Sequence, residues 1–356
     1  MEQEFYHLRI VGIEKPIKEA TTLSFKIPEN LKSIFEFQAG QHLCFRFYLN
    51  GVEERRMYSL HNSPHESDLY QVTVKTHPDG FISRFVANSL KIGDKLEVSN
   101  PLGDFTINPV KNAHKNYYLF AAGSGITPIF SMIKSILMVE PNSYVYLLYG
   151  NRTLADILFY DELAILQEQY PEQLIITHTL STRFLDFSLA PWEGKRGRID
   201  DGMVEAFITD NPLRTQDVEY YICGPEGMIQ TVQDTLIDMG VPTKIIHFEY
   251  FSAPSLQYDE GLAFVENASV SATIRNKNYQ VRLEADETIL EGLQRIGAPA
   301  PYSCKSGICG SCKAKLLEGE VKMKASIALS SEDKKKAFIL TCQSLAQTPN
   351  IKIDYQ

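Results

Sequence analysis

Tyr117-Tyr118-Leu119-Phe120-Ala121-Ala122-Gly123-Ser124-Gly125-Ile126-Thr127-Pro128 is an unbroken apolar run closed by a glycine turn. Apolar residues in a row, without alternation, describe a strand covered on both faces. A helical stretch, 128–138, follows at once, and proline suits a first helical turn because its missing N–H is not needed there. Strand, glycine turn and helix in that order are the setting in which backbone N–H groups and a helix N-terminus hold a phosphate. The third glycine of the dinucleotide fingerprint is missing, so a purely structural strand–helix turn stays open at this point.

The same alternation continues downstream. Strands at 143–149, 174–180, 219–222 and 245–251 are interleaved with helical stretches at 154–169 and 226–239. Strands alternating with helices make a parallel sheet covered by helices. A second strand end, Cys223-Gly224-Pro225-Glu226-Gly227-Met228, opens a helix in the same way. Upstream, the first 110 residues read as β. Short runs at 6–10, 22–27, 42–48, 70–75 and 95–98 surround one helix-like insert at 82–90, with glycine and proline between them. That pattern predicts a small antiparallel barrel. Periodicity lapses between 252 and 267. Two alternating strands (270–274, 279–283), a helix (288–296), a strand (313–317) and a short helix (331–336) then form a last domain. The expected domains are therefore 1–112, 113–252 and 268–356, with a linker at 253–267.

Length agrees, since 356 residues exceed the roughly 100–200 of one ordinary domain. Hydrophobic residues at 44% and charged residues at 22% exclude a disordered chain or a collagen. No apolar run approaches the ~18 residues of a membrane span. The start, Met1-Glu2-Gln3-Glu4-Phe5, has early acids and no apolar stretch, so a signal peptide is not expected and a cytoplasmic location is. A net charge of −9 argues against general nucleic-acid affinity. The charge is uneven: residues 266–356 carry 13 Lys/Arg against 10 Asp/Glu, while the first 265 hold 22 against 34.

Four of the six cysteines fall in the last domain, as Cys304-Lys-Ser-Gly-Ile-Cys309-Gly-Ser-Cys312 and Cys342. A cytosolic chain does not use such cysteines for disulfides. The spacing C-x4-C-x2-C…C is that of plant-type [2Fe–2S] ligation. Gly307 and Gly310 permit the tight loop that four converging thiolates need. Zinc is the alternative, but zinc sites favour two short knuckles and only one short pair is present. Cys44 and Cys223 read as buried thiols.

These segments carry a family resemblance. Residues 268–356, with the Leu340-Thr341-Cys342-Gln343 context of the fourth cysteine, resemble plant-type ferredoxins, which implies a β-grasp fold. The glycine turn and the Cys223-Gly224 turn together resemble the pyridine-nucleotide domain of the ferredoxin–NADP reductase family. The resemblance implies that Gly123, Gly125, Thr127 and Pro128 hold the pyrophosphate and nicotinamide edge, with Cys223 and Gly224 beside the nicotinamide. Arg55-Arg56-Met57-Tyr58-Ser59-Leu60 resembles the family's flavin motif R-x-Y-S/T. It implies Arg56 on the FAD pyrophosphate, Tyr58 on the isoalloxazine face, Ser59 at the flavin N5 edge and Ser63 at a further matching position. Val74-Lys75 and Gly80-Phe81-Ile82-Ser83 resemble the second flavin segment, which adds Val74, Lys75, Gly80 and Ser83. Glu249-Tyr250-Phe251 resembles the terminal E-x-aromatic, which puts Phe251 on the flavin and Glu249 near its reactive edge. Ser59, Cys223 and Glu249 are thereby the catalytic candidates. The plainer readings are a strand aromatic for Tyr58, a surface ion-pair former for Arg56, and core residues for Cys223 and Phe251.

An acid after the third strand of the nucleotide domain selects NADH, whereas hydroxyl and cationic groups there suit NADPH. The stretch Leu180-Ser181-Thr182-Arg183 has no acid until Asp186, and Arg152, Lys195, Arg196 and Arg198 add cations. NADPH is expected through Ser181 and Arg183, with NADH possible. In domain order the chain resembles reductase components of multicomponent oxygenases, closest to those of phenylacetyl-CoA epoxidase type. That resemblance implies electron flow from NAD(P)H through FAD and a [2Fe–2S] cluster to a di-iron or other oxygenase component. A reductase of a fatty-acid desaturase or another hydroxylase is the alternative. A redox-sensing regulatory module is a different class, which no DNA-binding motif supports.

Overall fold

The computed structural model describes residues 4–49, 51–66, 68–182, 192, 194–251, 265 and 267–355. They form two compact units. One holds residues 5–54 and 58–251; the other holds the residues from 265 onward with Glu4 and residues 55–57.

The first unit begins with β1 (Phe5–Glu14), β2 (Ala20–Lys26), β3 (His42–Leu49), β4 (Val52–Ser59, except its residues 55–57), β5 (Leu69–Lys75), α1 (Phe81–Asn88) and β6 (Lys95–Ser99). The strands lie in the order β4-β3-β6-β1-β2-β5, and an antiparallel bridge from Leu60 to Val72 joins the two outer strands. The sheet thus closes into an antiparallel barrel, which leaves no free edge. Leu8, Ile10, Leu23, Phe25, Phe45 and Val72 fill it. The periodicity assigns no strand to 52–59. Val-Glu-Glu-Arg-Arg-Met-Tyr-Ser has no apolar alternation, and barrel closure rather than local pattern makes it β.

The unit continues with β7 (Lys115–Ala122), α2 (Ile126–Val139), β8 (Tyr144–Asn151), α3 (Tyr160–Gln169), β9 (Leu174–Leu180), β10 (Lys195–Arg196), α4 (Asp201–Asp210), β11 (Asp217–Cys223), α5 (Glu226–Asp238) and β12 (Ile246–Glu249). The sheet order is β10-β9-β8-β7-β11-β12, parallel throughout. Strand order reverses beside β7, so the carboxyl ends of β7 and β11 flank the crevice where doubly wound sheets bind ligands.

Three expectations change here. The helix expected over 154–169 is interrupted: a turn at Leu154–Asp156 is capped by Thr153 and Asp156, and Phe159 takes φ 60° before α3 begins. The buried Ile157, Leu158 and Phe159 plug the core there, and Phe159 stacks on Phe130 at 4.5 Å. β10 and α4 were not expected: one is two exposed residues, and the other buries only Val204 and Phe207. The last strand stops at Glu249 rather than 251.

Helix α2 is apolar nearly all round because it is buried nearly all round. Its polar residues face the barrel. Ser131 Oγ donates to Asn62 O at 2.7 Å, Ser135 Oγ lies 2.8 Å from Ser63 Oγ, and Lys134 Nζ meets Glu66 Oε2 at 2.7 Å. Spacings of three and four put these groups on one face. Burial pulls the Lys134 ammonium down against the opposing pull of Glu66. Removing Glu66 would leave the Lys134 ammonium, 11% exposed, without its partner, whereas removing Lys134 would leave a carboxylate that is 40% exposed and solvated.

The second unit contains β13 (Ser269–Ile274), β14 (Lys277–Arg282), α6 (Ile289–Arg295), β15 (Lys313–Glu318), β16 (Val321–Met323), α7 (Ser331–Lys335), β17 (Phe338–Leu340), β18 (Ser344–Ala346) and β19 (Asn350–Tyr355). Its main sheet runs β14-β13-β19-β15-β17, with β13 parallel to β19 and helix α6 packed against it. This is the β-grasp. Strand β19 is central although no strand was expected there, and its alternating Ile351, Ile353 and Tyr355 are buried. Residues 252–264 and 266, most of the expected linker, lie outside the described residues. Among the described residues no helix is long and apolar enough to cross a membrane.

Candidate functional site

Strand β7 pairs with β11 so that Ala121 is opposite Cys223, and β11 pairs with β12 so that Cys223 is opposite Glu249. The end of the sheet therefore sets the glycine turn, the cysteine and the acid in one row. A Cβ on Gly125 would stand 2.1 Å from Cys223 O, and one on Gly224 would stand 3.1 Å from Ala122 N. Only glycines let the two turns approach this closely. Gly123 has φ 55° and open space where its side chain would be, and its carbonyl accepts a bond from the Tyr149 hydroxyl at 3.1 Å. Thr127 is buried and donates to Ser124 O, and Pro128 lies buried in the first turn of α2. The Cys223 thiol is fully buried. Burial first, and then the charge of Glu249, push it well above the ordinary thiol range.

Beyond this turn opens a cavity of about 720 Å³, within the size range of a small-ligand pocket. Gly123, Arg152, Ser181, Arg198 and Lys75 are on its wall. Lys75, placed by resemblance in the flavin segment, lines this cavity and meets Asp156 at 3.3 Å. Ser181 N–H donates to Asn151 O, which ties the ends of β8 and β9 together. Arg183 lies outside the described residues. Asn151 and Asp200 are among the wall residues that escape the sequence reading. The Asn151 side chain is buried without a hydrogen-bond partner for either amide atom, an arrangement that suits a ligand's polar groups. Asp200 also lines the cavity, but its carboxylate accepts from Met203 N–H as the cap of α4. A polar residue directly after the Gly150 strand end was the available signal for Asn151.

Within β4, Arg56 is exposed and its Nη1 donates to Arg55 O. The half-buried Tyr58 ring packs on Phe45 at 5.6 Å, and Ser59 is buried. The partly open Tyr58 ring is a flat face of the kind a flavin packs on, and the exposed Arg56 guanidinium is a charge of the kind its pyrophosphate needs, so each residue taken by itself fits FAD. Other flavin candidates have structural partners. Ser63 is fully buried on Ser135 and accepts from His65 N–H, so it fastens the barrel to α2. Val74 is in the barrel core. Ser83 Oγ donates to Gly80 O and accepts from His77 N–H, which closes the start of α1. Phe251 is 42% exposed just past β12.

In the β-grasp unit all four cysteines are free thiols. Cys304 and Cys309 are within hydrogen-bonding reach of each other, and so are Cys312 and Cys342. The bond from Cys309 is the main cause that draws Cys304 down to about 5, while Cys309 is pushed up. Backbone N–H groups of Ser306 and Ile308 aim at Cys304, and those of Ser311 and Gly307 at Cys309 and Cys342. Gly307 and Gly310 have φ 78° and 68°, as the tight loop requires. Gln343 Nε2 clamps the loop through Lys305 O at 2.9 Å. Among the described residues no three His, Cys, Asp or Glu groups gather around one point. Two thiol pairs, each able to hold one iron, fit a two-iron cluster better than a single zinc.

Comparison with known proteins supplies the context. Residues 8–107 match the oxidoreductase FAD-binding domain family, 119–234 the oxidoreductase NAD-binding domain family, and 272–347 the 2Fe-2S iron-sulfur cluster binding domain family. The chain is 33% identical to one of the subunits of the 1,2-phenylacetyl-CoA epoxidase of Escherichia coli K12, over 99% of this chain and 98% of that one. It is 30% identical to the ferredoxin reductase component of the 3-ketosteroid-9-alpha-monooxygenase of Rhodococcus rhodochrous, over 98% and 96%. The solved structure of phthalate dioxygenase reductase superposes with a TM-score of 0.64 at 26% identity, over 99% of this chain and 98% of that one.

Proposed function

The chain belongs to the family of reductase components of oxygenase systems that carry FAD-binding, NAD-binding and [2Fe–2S] domains, and on that premise we propose that it supplies electrons to the oxygenase of a phenylacetyl-CoA epoxidase-type system. The chain is an oxidoreductase. FAD and the cluster, when bound, let a hydride donor be read out one electron at a time.

The protein's own part is to bind, orient and exclude. The glycine turn and the start of α2 present N–H groups to the nucleotide pyrophosphate. Arg152, Ser181 and Arg198 receive the adenine ribose end, and these two cations and a hydroxyl stand against the one carboxylate among the described residues of the wall, Asp200, so NADPH is the preferred donor. Cys223 and Glu249 border the nicotinamide, and Tyr58 and Arg56 hold the flavin. Cys304, Cys309, Cys312 and Cys342 hold the two irons, with the loop N–H groups stabilising the thiolates. The domain assignment 1–112, 113–252 and 268–356 and a cytoplasmic location complete the reading.

The observation that carries it is that one chain holds both a nucleotide cavity at a sheet switch point and two thiol pairs in a β-grasp loop. The epoxidase assignment is supported by the similarity to the E. coli epoxidase chain over nearly the whole of both sequences. The test is reconstitution with NADPH and purified oxygenase components. Epoxide formed from phenylacetyl-CoA, in step with NADPH consumption, supports the assignment. Brisk ferricyanide reduction with no epoxidation, together with turnover in a steroid or desaturase system, would replace the partner and keep the reductase.

A further inference from the structure

The start of barrel strand β3 and the end of sheet strand β12 meet where an imidazole faces a carboxylate. His42 Nδ1 stands 3.5 Å from Glu249 Oε1, and the two side chains are 10% and 16% exposed. The histidine is held by its own backbone. His42 N–H donates to Leu102 O at 3.0 Å, and Leu102 N–H donates back to His42 O at 2.9 Å. The next residue is Gly103, with φ 105°. A Cβ there would stand 2.9 Å from His42 Nδ1 and 3.9 Å from Glu249 Oε1. The missing side chain is what leaves the ring room to reach the carboxylate. The acid is held from the other side by the register that sets it opposite Cys223.

Glu249 Oε2 is buried with no hydrogen-bond partner among the described residues. Leaving a buried carboxylate oxygen unmatched costs stability, and such exceptions concentrate where a group is kept for chemistry. One oxygen of Glu249 therefore faces the imidazole and the other is left open.

We propose that His42 is a positioning residue for hydride transfer: its imidazole fixes Glu249 Oε1 and thereby sets where Oε2 points. The inference rests on reading Glu249 as a group beside the nicotinamide and flavin edge. His42 acts only through that acid.

The experiment is a double-mutant cycle on the FAD-loaded full chain. It compares His42→Met, which fills the space without a donor, His42→Gln, which keeps an N–H donor, Glu249→Gln, and His42→Met with Glu249→Gln. The readouts are single-turnover flavin reduction by NADPH, the Kd for NADP+, and the flavin absorption maximum. His42→Met and Glu249→Gln should each slow reduction about tenfold, the scale of a lost bond to a charged group. The double variant should be no slower than Glu249→Gln alone, because coupled residues are not additive. The Kd for NADP+ should hold, the absorption maximum should shift the same way in both single variants, and His42→Gln should stay near the parent rate. If Glu249→Gln is slow while His42→Met matches His42→Gln, or if the two losses multiply, the positioning role is wrong and the reading of Glu249 survives. If Glu249→Gln reduces flavin at the parent rate, that reading falls and the role of His42 falls with it.

Discussion

The Cβ that Gly125 lacks would stand 2.1 Å from the carbonyl oxygen of Cys223. The contact is backbone against backbone at the sheet switch point, so no side chain can swing aside. Its φ of −61° is ordinary, so glycine is needed here for space alone. Gly125→Ala should push the start of α2 away from β11, destabilise the fold by about 1–3 kcal/mol or more, and weaken NADP+ binding. Urea unfolding and NADP+ titration check both effects. An alanine variant with parent stability and affinity would mean that the turn is not the nucleotide seat.

Nucleotide choice is testable on Arg198, which lies on the cavity wall. Arg198→Ala should raise KM for NADPH roughly tenfold or more, the effect of losing a charge-assisted contact. KM for NADH should change little. Equal effects on the two donors would remove Arg198 from the 2′-phosphate site.

His61 makes a stability prediction. It is 5% exposed, packs on Phe159 at 4.8 Å, and neither ring nitrogen has a hydrogen-bond partner. Burial, reinforced by the nearby Lys134 charge, pulls its pKa down to about 3. The folded chain thus keeps it neutral while the unfolded chain protonates it near 6.5. The contribution is complete above pH 6.5 and is lost progressively as pH falls towards 3. Between pH 7 and 5 this one group should remove about 2 kcal/mol. His178, lowered by burial to about 4, acts in the same direction. Urea midpoints for parent and His61→Leu at both pH values check it. The variant should lose less stability on acidification, and parallel curves would contradict the assignment.

Much of this was legible in the sequence where a local rule applied. The buried run before Gly123, the two glycine turns and the cysteine spacing each carry their meaning in adjacent residues. What depends on docking did not show. Ser63, Ser131, Lys134 and Ser135 look like surface polars until the barrel meets α2 and their groups pair. His42 and Glu249 come from opposite ends of the reductase portion, and nothing along the chain links them. Strand β4 is β because the barrel must close, not because its charged residues favour it. Strand β19 was readable from its alternation of Ile351, Ile353 and Tyr355.

The central claim is that electrons enter at the nucleotide cavity and leave through the four-cysteine loop. Cys309 pairs with Cys304, so Cys309→Ser removes one thiolate from one iron position, in a different compact unit from the nucleotide cavity. The direct measurement is NADPH-driven reduction of ferricyanide and of the oxygenase partner by that variant. Retained FAD, near-parent ferricyanide reduction and loss of transfer to the partner is the predicted result. A variant that binds FAD, lacks the cluster and still drives its partner at full rate would contradict the path and leave the β-grasp domain as a docking module.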